Sequence, residues 1–397
     1  MKDVVALILA GGRVEELSVL TQIRAKAAVP FGGQYRIIDF ALSSCMRSGL
    51  ERIGVISLYR PASLIDHVGI GEPWDMTGRG RRVKILPPYQ GEGGSGLYRG
   101  TADAVWQNRG FFAPYQAEQV LVLSGDHICG MDFRPLLAQH LANGADLTMV
   151  VKQMDPAVGR GRFGVAEADA SGRVTGYQEK PERPRSDLVS LTIYLFRKEV
   201  LLDRLAENQR RGRSLQFADE IVPEMVRRDR VFCYRMDGYW NYARSIEAYL
   251  QANLDLLEDP SPIDLGGWSV RTRKTLRGLG DLPPARLLGG ADCRSALVAN
   301  GCTVDGRVER SVLFAGVEVR RQAEVKESVI LNDCLIGEGA RLERVILDKQ
   351  VKIGAGARLS GQPDACVVVG KGAEVPPGAE LAAGTAVPPR TVAVVPL

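Results

Sequence analysis

The sequence predicts a two-part α/β protein, with a mainly parallel sheet covered by helices in the first half and a left-handed parallel β-helix in the second. Two patterns support this prediction. Short apolar runs alternate with amphipathic segments in the first part, and aliphatic residues recur every six positions in the last part. The chain has 397 residues, of which 45% are hydrophobic and 25% charged. This composition is typical of globular proteins, and the length exceeds what one hydrophobic core usually holds, so we expect two domains.

The first half contains strand-like runs that are apolar throughout. These runs cover residues 4–9, 53–56, 120–123 and 147–151. Between them, amphipathic helix-like segments lie around residues 38–49, 102–113 and 133–143. Continuous apolar strands separated by helices indicate a Rossmann-like, mainly parallel sheet that is buried on both faces. Because such sheets bind ligands at the carboxyl ends of their strands, residues 10–13 and 124–127 are the candidate site loops.

The last part has a six-residue period that neither an ordinary helix nor an ordinary strand produces. Four series show it: Leu313, Val319, Val325 and Leu331; Ile330, Ile336 and Leu342; Leu347, Ile353 and Leu359; Val369, Val375, Leu381 and Val387. The period predicts a left-handed parallel β-helix whose aliphatic residues point inward and stack on the next coil. We expect a first domain over residues 1–257, a linker over 258–290, and a β-helix over 291–397 that serves as scaffold and oligomerisation module.

Charge and cysteine content narrow the choice of partner and location. The formal net charge is +4, and the arginines are scattered along the chain. This balance argues against a nucleic acid or a membrane as partner and favours a small substrate or another protein. The seven cysteines include no CxxC pair, so neither a disulfide framework nor a zinc site is expected, and a cytoplasmic location is predicted. No apolar run is long enough for a signal-peptide core or a membrane span.

Several motifs follow one another in the first domain. They are the GGR loop at 11–13, RAKAAVPFGG at 24–33, RIIDF at 36–40, YRGTADA at 98–104, SGDH at 124–127 and EKP at 179–181. A glycine loop alone would be weak evidence for any one family, but the last three motifs in this order are highly specific for one. The chain resembles the bacterial ADP-glucose pyrophosphorylases, or glucose-1-phosphate adenylyltransferases, over essentially its whole length. The resemblance implies a nucleotidyltransferase domain that combines ATP with glucose 1-phosphate, releases pyrophosphate and forms the glucosyl donor for glycogen.

Such a reaction needs cations that screen two polyanions and groups that align them, without a covalent nucleophile. Asp126 is the candidate Mg²⁺ ligand, since hard divalent cations prefer carboxylate, phosphate and water oxygens; a turn-capping aspartate is the alternative. Lys26 and Arg13 supply positive charge as catalytic candidates, although a solvated surface role is the alternative for Lys26. Gly11 and Gly12 allow backbone N–H groups to approach phosphates, unless the turn requires glycine for steric reasons alone.

The other candidates concern the base, the ribose and the sugar. The nucleotide-binding candidates at the start of a helix are Tyr98, Gly100, Thr101 and Asp103. Glu179 is expected to hydrogen-bond glucose hydroxyls, and Lys180 to pair with the sugar phosphate. Ser190 resembles a residue of the family's SMGIY segment, which lines the sugar pocket. Thr192 replaces the glycine of that segment, and its side chain is expected to narrow the sugar pocket.

The phosphate loop departs from the family's GGxGxRL motif. Val14 stands where glycine would admit phosphate, and Glu16 stands where an arginine would hold the leaving pyrophosphate. Removing one such charged contact costs on the order of 2 to 4 kcal/mol of transition-state stabilisation. We therefore expect a loss of activity unless Arg13 or Arg24 supplies the missing cation.

The family's WRDVG motif also changes, because Tyr242 replaces the aspartate that completes the metal site. A neutral phenol is not a magnesium ligand, and Asp237 is the only nearby substitute. Two hypotheses remain open. The chain is either an active glucose-1-phosphate adenylyltransferase or a catalytically impaired regulatory subunit that binds ligands and modulates an active paralogue. An acyltransferase is disfavoured because no histidine follows His140.

Association and regulation are also implied by the resemblance. The family forms tetramers, so the partner is expected to be a second copy of the chain or a catalytic paralogue. Phosphorylated metabolites are the expected effectors. The cations in the region where the family binds such effectors are Arg24, Lys26, Arg47 and Arg52. For Arg47 and Arg52 a solvated basic face is an equally good interpretation.

Overall fold

The computed structural model of the protein describes residues 1–12, 15–88, 97–212, 215–274 and 282–393. Arg13 and Val14 lie outside the described residues, so the predictions made for them stay predictions.

The first domain is a layered α/β structure. Its strands are β1 (Val4–Leu9), β2 (Pro30–Phe31), β3 (Tyr35–Arg36), β4 (Arg52–Ile56), β5 (Arg82–Leu86), β6 (Gln119–Ser124), β7 (Leu147–Gln153), β8 (Val165–Ala168), β9 (Val174–Gln178), β10 (Leu188–Arg197) and β11 (Val231–Arg235). Its helices are α1 (Ile38–Arg47), α2 (Ala62–Val68), α3 (Thr101–Gln107), α4 (Arg109–Phe112), α5 (Phe133–Ala142), α6 (Pro156–Gly159), α7 (Lys198–Arg211), α8 (Val222–Arg228) and α9 (Ile246–Leu254). The four predicted strands and three predicted helical regions are confirmed.

The main sheet has the strand order β11-β7-β10-β6-β1-β4-β5, and the β8–β9 hairpin is attached to β10. The neighbours along this order are parallel except for β10, which runs antiparallel to both β6 and β7. The sheet is buried on both faces because successive side chains of a strand point to opposite sides. In β1, for example, Ala6 and Ile8 belong to one hydrophobic core, whereas Val5 and Leu7 belong to the other.

The register of the central strands brings two loops together. Leu9, the last residue of β1, pairs with Ser124, the last residue of β6. The loop that begins at Ala10 therefore leaves the sheet beside the Ser124–His127 turn. This edge is where parallel sheets bind ligands.

The β-helix consists of three parallel six-stranded sheets. One contains β12 (Arg286–Leu287), β15 (Thr303–Val304), β18 (Glu318–Val319), β21 (Leu335–Ile336), β24 (Lys352–Ile353) and β27 (Glu374–Val375). The second contains β13 (Asp292–Arg294), β16 (Arg307–Glu309), β19 (Glu324–Lys326), β22 (Arg341–Glu343), β25 (Arg358–Ser360) and β28 (Glu380–Leu381). The third contains β14 (Leu297–Val298), β17 (Val312–Leu313), β20 (Val329–Ile330), β23 (Val345–Leu347), β26 (Val367–Val369) and β29 (Ala386–Val387). The predicted left-handed parallel β-helix is confirmed.

One member of the predicted inward series is placed differently. Leu313 pairs with Ile330, and Ile330 pairs with Leu347. Each of these coils is therefore one residue shorter than three six-residue repeats would make it. Ile330 therefore takes the inward position, and Leu331 packs in a core shared with the first domain. A shift of one residue along a strand moves a side chain to the other face of the sheet.

The β-helix packs directly against the first domain. Phe31, Phe40 and Tyr249 of the first domain share one buried cluster with Phe314 and Ile346 of the β-helix. Apolar burial of this kind contributes about 1.5 to 3 kcal/mol for each large side chain. The two domains are thus joined by a hydrophobic core as well as by the connecting segment.

Candidate active site

Three neighbouring cavities lie at the carboxyl edge of the main sheet. The glycine-loop cavity, about 450 Å³, is lined by residues that include Gly11, Gly12, Lys26, Thr101 and Asp126. The Glu16 cavity, about 440 Å³, is lined by Glu16, Gly161, Arg162, Phe163, Lys180, Arg244 and Ser245. The Ser190 cavity, about 140 Å³, is lined by residues that include Glu179, Lys180, Ser190 and Tyr242. The sequence candidates from both ends of the predicted reaction therefore line adjoining cavities.

Lys26 and Asp126 form an ion pair on the floor of the glycine-loop cavity. Lys26 Nζ lies 3.1 Å from Asp126 Oδ2, and the lysine side chain is only 2% exposed. Burial lowers the pKa of Lys26, and the Asp126 carboxylate opposes that shift. Burial tends to raise the pKa of Asp126, but Lys26, His127 and a hydrogen bond from Ser124 together hold it below its ordinary value. Asp126 is therefore ionised at neutral pH, and Lys26 is not the solvated surface lysine of the alternative interpretation.

The two loop glycines differ in what requires them. A Cβ atom at Gly11 would lie 2.8 Å from Leu58 N, so the neighbouring backbone excludes a side chain there. A Cβ atom at Gly12 would meet no atom of the described residues within 4 Å. Steric need in the protein explains Gly11 but not Gly12. An open backbone at Gly12 is suited to close approach by a phosphate.

The predicted nucleotide-binding residues occupy the first turn of α3 and the segment before it. Tyr98, Gly100 and Thr101 line the glycine-loop cavity. Asp103 does not line it: its carboxylate accepts hydrogen bonds from Arg99 N at 2.8 Å, Gln107 Nε2 at 2.8 Å and Gln209 Nε2 at 2.9 Å. The carboxylate therefore holds the loop before α3 against α7, and a direct contact of Asp103 with a nucleotide stays a prediction.

The predicted sugar-phosphate residues surround the Ser190 cavity. Glu179 Oε2 accepts a hydrogen bond from Tyr177 Oη at 3.0 Å, and Lys180 Nζ lies 3.7 Å from Glu179 Oε1. Burial raises the pKa of Glu179 above its ordinary value. Ser190 Oγ lies 3.3 Å from Tyr194 Oη. A partly buried carboxylate beside hydroxyl groups and an exposed ammonium group can bind both a polyol and an anion.

Tyr242 packs beside the ion pair of Lys26 and Asp126 and supplies no second carboxylate ligand. Lys26 Nζ lies 3.7 Å from the centroid of the Tyr242 ring and also donates to the Tyr242 carbonyl. The charge of Asp126 and burial raise the pKa of the phenol, which stays neutral. The described residues contain no group of three His, Cys, Asp or Glu side chains that could enclose a metal ion. Asp126 is the carboxylate that such an ion would use here.

Comparisons with known proteins identify the family of both domains. Residues 5–259 match the nucleotidyl transferase family model, and residues 283–366 match the GlmU-like C-terminal hexapeptide model. A glucose-1-phosphate adenylyltransferase of Thermomicrobium roseum is 43% identical over 98% of this chain and 94% of its own length. Glucose-1-phosphate adenylyltransferases of Thermotoga neapolitana and Clostridium botulinum are 42% and 38% identical, over 82% and 89% of this chain and 77% and 97% of their own lengths.

The chain belongs to the glucose-1-phosphate adenylyltransferase family. Within the described residues, no helix is both long and apolar enough to cross a membrane.

Relative to the family's motif, Glu16 remains the most unusual residue of the site. Its Oε1 accepts a hydrogen bond from Arg244 Nε at 2.9 Å. Arg24 does not compensate for the missing loop arginine, because both of its Nη groups bind Asp348 of the β-helix at 2.9 Å. Asp237 is exposed and lines none of the three cavities, so it does not replace the missing metal ligand.

Sequence reasoning did not find Arg244. In the family motif WRDVG the corresponding residue is glycine, so a cation is not expected there. Two departures from the family's motifs could have indicated Arg244. One is the acidic residue Glu16 in the phosphate loop, and the other is the basic residue itself two positions after Tyr242. The two residues are 228 positions apart in sequence and meet only in the folded chain.

Proposed function

We propose that the protein is a glucose-1-phosphate adenylyltransferase that forms ADP-glucose and pyrophosphate from ATP and glucose 1-phosphate. The observation that supports this function is the adjoining placement of the glycine-loop and Ser190 cavities around Lys26 and Asp126. The Ser190 cavity shares Thr192, Tyr242 and Arg244 with the glycine-loop cavity. Two substrates held in adjoining cavities can react without a covalent intermediate on the protein.

In the proposed reaction an oxygen of the sugar phosphate attacks the α-phosphorus of ATP. A new phosphorus–oxygen bond forms while the bond between the α-phosphorus and the bridging oxygen breaks, and pyrophosphate leaves. Lys26 supplies a buried ammonium group for the triphosphate, and Gly12 offers open backbone. Glu179 and Ser190 position the sugar, and Lys180 binds its phosphate. Catalysis then rests on alignment and charge stabilisation in a partly buried site.

We include Mg²⁺ in this proposal, with Asp126 as its protein ligand. Magnesium is commonly held by one or two carboxylates, together with water and substrate phosphates, so a single aspartate is a chemically sufficient protein contribution. When bound, the ion would offset negative charge on the triphosphate. Tyr242 provides no carboxylate to the set.

The direct test is pyrophosphate release by the purified full-length chain with Mg²⁺, ATP and glucose 1-phosphate, together with detection of ADP-glucose. Replacing ATP by UTP, CTP or dTTP tests the base. Lys26→Met is expected to lower kcat/KM by about a hundredfold, because a charged contact to the transition state is lost. Lys326→Met, which removes an exposed lysine of the β-helix, is the matched control.

Tyr242 supports a second candidate function, that of an impaired regulatory subunit. In that case the chain would bind ATP and glucose 1-phosphate in equilibrium measurements but release no more pyrophosphate than the Lys26→Met variant. It would also change the activity of a catalytic paralogue when the two are mixed. Binding without turnover would reject the enzymatic proposal, and turnover by the chain alone would reject this one.

We further propose an effector site for phosphorylated metabolites where the two domains meet. A cavity of about 30 Å³ there is lined by residues that include Arg36, His67, Arg273 and Lys349. Burial and the nearby Arg36 and Arg24 lower the pKa of Lys349 to about 7. An anion would relieve the repulsion among these cations. Inorganic phosphate, the smallest such anion, should therefore change activity in the wild type but not in Lys349→Met.

Association is proposed to involve the first coil of the β-helix. Leu287, Leu288 and Leu297 are 58%, 38% and 37% exposed there, and exposed apolar side chains can mark an interaction surface. We propose a cytoplasmic tetramer, formed by the chain alone or with a paralogue. A solution mass of one protomer for both wild type and a mixture with the paralogue would reject it.

A further inference from the structure

We propose that Arg244 is the residue that binds the departing pyrophosphate, in place of the arginine that the phosphate loop lacks at Glu16. The proposal rests on the proposed function for its reaction and on the geometry of Arg244 for its assignment. Arg244 follows Tyr242 by two residues and lies on the loop that leads into α9. Its side chain is 36% exposed, so a ligand can reach it.

The position of Arg244 is central to the site. Within the described part of the chain it is the residue common to the linings of all three cavities. A group at this junction can touch the triphosphate while the sugar phosphate occupies the neighbouring cavity.

Arg244 is held in place through one side of its guanidinium group. Nε donates to Glu16 Oε1 at 2.9 Å, and Cζ lies 5.8 Å from the Tyr242 ring centroid. Among the described residues, neither Nη group of Arg244 has a hydrogen-bond acceptor in the protein. Since a guanidinium has five N–H donors in a planar fork and binds phosphate through pairs of them, the outer donors remain available to a ligand.

Glu16 acts as the positioning residue in this arrangement. Its carboxylate belongs to the position where the family has an arginine, so the guanidinium group bound to it brings a cation back to this part of the site. Hydrogen bonding to the backbone and the charge of Arg244 keep the pKa of Glu16 below its ordinary value. The carboxylate thus stays ionised, orients Arg244 and partly offsets its charge.

Three other cations of the region, Arg24, Lys26 and Lys180, do not take this role. Arg24 is fully engaged with Asp348 in the interior of the domain interface. Lys26 is already paired with Asp126. Lys180 lines the Glu16 and Ser190 cavities but not the glycine-loop cavity, which places it at the sugar-phosphate end.

The first experiment measures binding of inorganic pyrophosphate alone, by calorimetry on the full-length chain. Arg244→Ala is expected to weaken it by about tenfold or more, since hydrogen bonds between charged groups are the strong ones. Glu16→Gln keeps an acceptor for Nε and removes a negative charge, so it should tighten pyrophosphate binding. Arg310→Ala is the matched control, because Arg310 is 38% exposed and binds Glu258 at 2.7 Å away from the three cavities.

The second experiment restores the family's arrangement of charge. Arg244→Gly alone removes the guanidinium group and leaves Glu16 unpaired, so it should weaken pyrophosphate binding. The double variant Glu16→Arg/Arg244→Gly should recover binding to within a few-fold of wild type. A double variant that binds pyrophosphate no better than Arg244→Gly would overturn the proposal.

The assignment to pyrophosphate is also tested separately. If Arg244→Ala weakened binding of glucose 1-phosphate alone and left pyrophosphate binding unchanged, the assignment would be overturned in favour of the sugar phosphate. These measurements need no turnover. A wild type that binds pyrophosphate through Arg244 but forms no ADP-glucose would contradict the proposed function and leave the Arg244 assignment standing.

Discussion

At the residue scale, the central feature of the site is a lysine that has an aromatic ring on one side and a carboxylate on the other. Lys26 Nζ lies 3.7 Å from the Tyr242 ring centroid and 3.1 Å from Asp126 Oδ2. A ring face attracts a cation but offers no lone pairs to a metal ion. Tyr242 therefore stabilises Lys26 where a carboxylate would have bound both the lysine and the metal.

Tyr242→Asp is expected to tighten Mg²⁺ binding at the site, because two carboxylates would then face the same space. We expect the Mg²⁺ concentration for half-maximal pyrophosphate release to fall by roughly tenfold. Binding of Mn²⁺ without substrates, followed by calorimetry, gives a readout that does not depend on activity. Tyr242→Phe is the control, since it keeps the ring beside Lys26. A similar metal affinity in the Asp and Phe variants would contradict this role of residue 242.

Single residues were predictable where a motif is local. Lys26, Asp126, Gly12 and Glu179 were predicted because each belongs to a short motif with a chemical requirement of its own, and all four line the cavities of the candidate site. Asp103 shows the limit, since the motif predicts its presence but not that Gln107 and Gln209 bind its carboxylate. Such roles depend on which distant side chains arrive, and local patterns contain no information about that.

At the element scale, the site depends on β10, the strand that interrupts the parallel order. Its pairing with β7 shifts register between Ser190 and Tyr194. Within that irregularity Thr192 has a φ of 52°, a left-handed conformation that is unfavourable for a β-branched residue. Lys180 and Ala243 also have positive φ values, of 45° and 38°. Strained backbone of this kind persists where the surrounding structure fixes it, and here it places three residues around the Ser190 cavity or next to it.

Thr192→Gly should relieve the strain in β10. We expect Thr192→Gly to be more stable to unfolding than Thr192→Ala by about 1 kcal/mol, because both lose the threonine hydroxyl and only glycine accepts a positive φ freely. Chemical denaturation compares the two variants directly. The glycine variant should also have a lower KM for glucose 1-phosphate than wild type, since Thr192 lines the Ser190 cavity. Greater stability of the alanine variant would show that the left-handed backbone is not strained.

At the scale of the whole molecule, the two domains were predictable to different degrees. The β-helix repeats within about 17 residues, so a short window of sequence contains its rule, as the pairing of Leu313 with Ile330 illustrates. The insertion of β10 between β6 and β7 is a long-range pairing that no local pattern encodes. The contact between the domains was not predicted either, because Leu331 looked like a member of an inward series.

The ion pair between the domains should be important for stability. Arg24 binds Asp348 through two hydrogen bonds of 2.9 Å, and their side chains are 5% and 0% exposed. Arg24→Met should destabilise the protein by about 3 to 5 kcal/mol, because a buried carboxylate loses its partner. Arg24→Met/Asp348→Leu should lose less than the single variant. Lys352→Met, which breaks an exposed pair with Glu374, should change stability by about 1 kcal/mol or less. Thermal denaturation would contradict this account if the Arg24 and Lys352 variants behaved alike.

Beside that pair, Lys349 gives the stability of the molecule a pH dependence. Burial, and then the charges of Arg36 and Arg24, lower its pKa from 10.5 to about 7, although Asp348 acts in the opposite direction. At a pH between the folded-state pKa of about 7 and the ordinary pKa of 10.5, Lys349 is protonated in the unfolded chain but not in the folded chain. The contribution of Lys349 to the free energy of unfolding therefore rises with pH across this range. Below about pH 7 Lys349 is protonated in both states, and its partly buried charge destabilises the folded state fully.

Lys349→Met removes this charge and should raise stability most at and below neutral pH, with a gain over wild type that shrinks as the pH increases. Lys352→Met, on the neighbouring β24, is the control without a buried charge. Denaturation midpoints measured between about pH 6 and about pH 10 for the three proteins test the expectation. Inorganic phosphate should also stabilise the wild type more than Lys349→Met, since an anion between the domains would neutralise the lysine. A gain from Lys349→Met that is the same at every pH would mean that Lys349 is charged throughout this range.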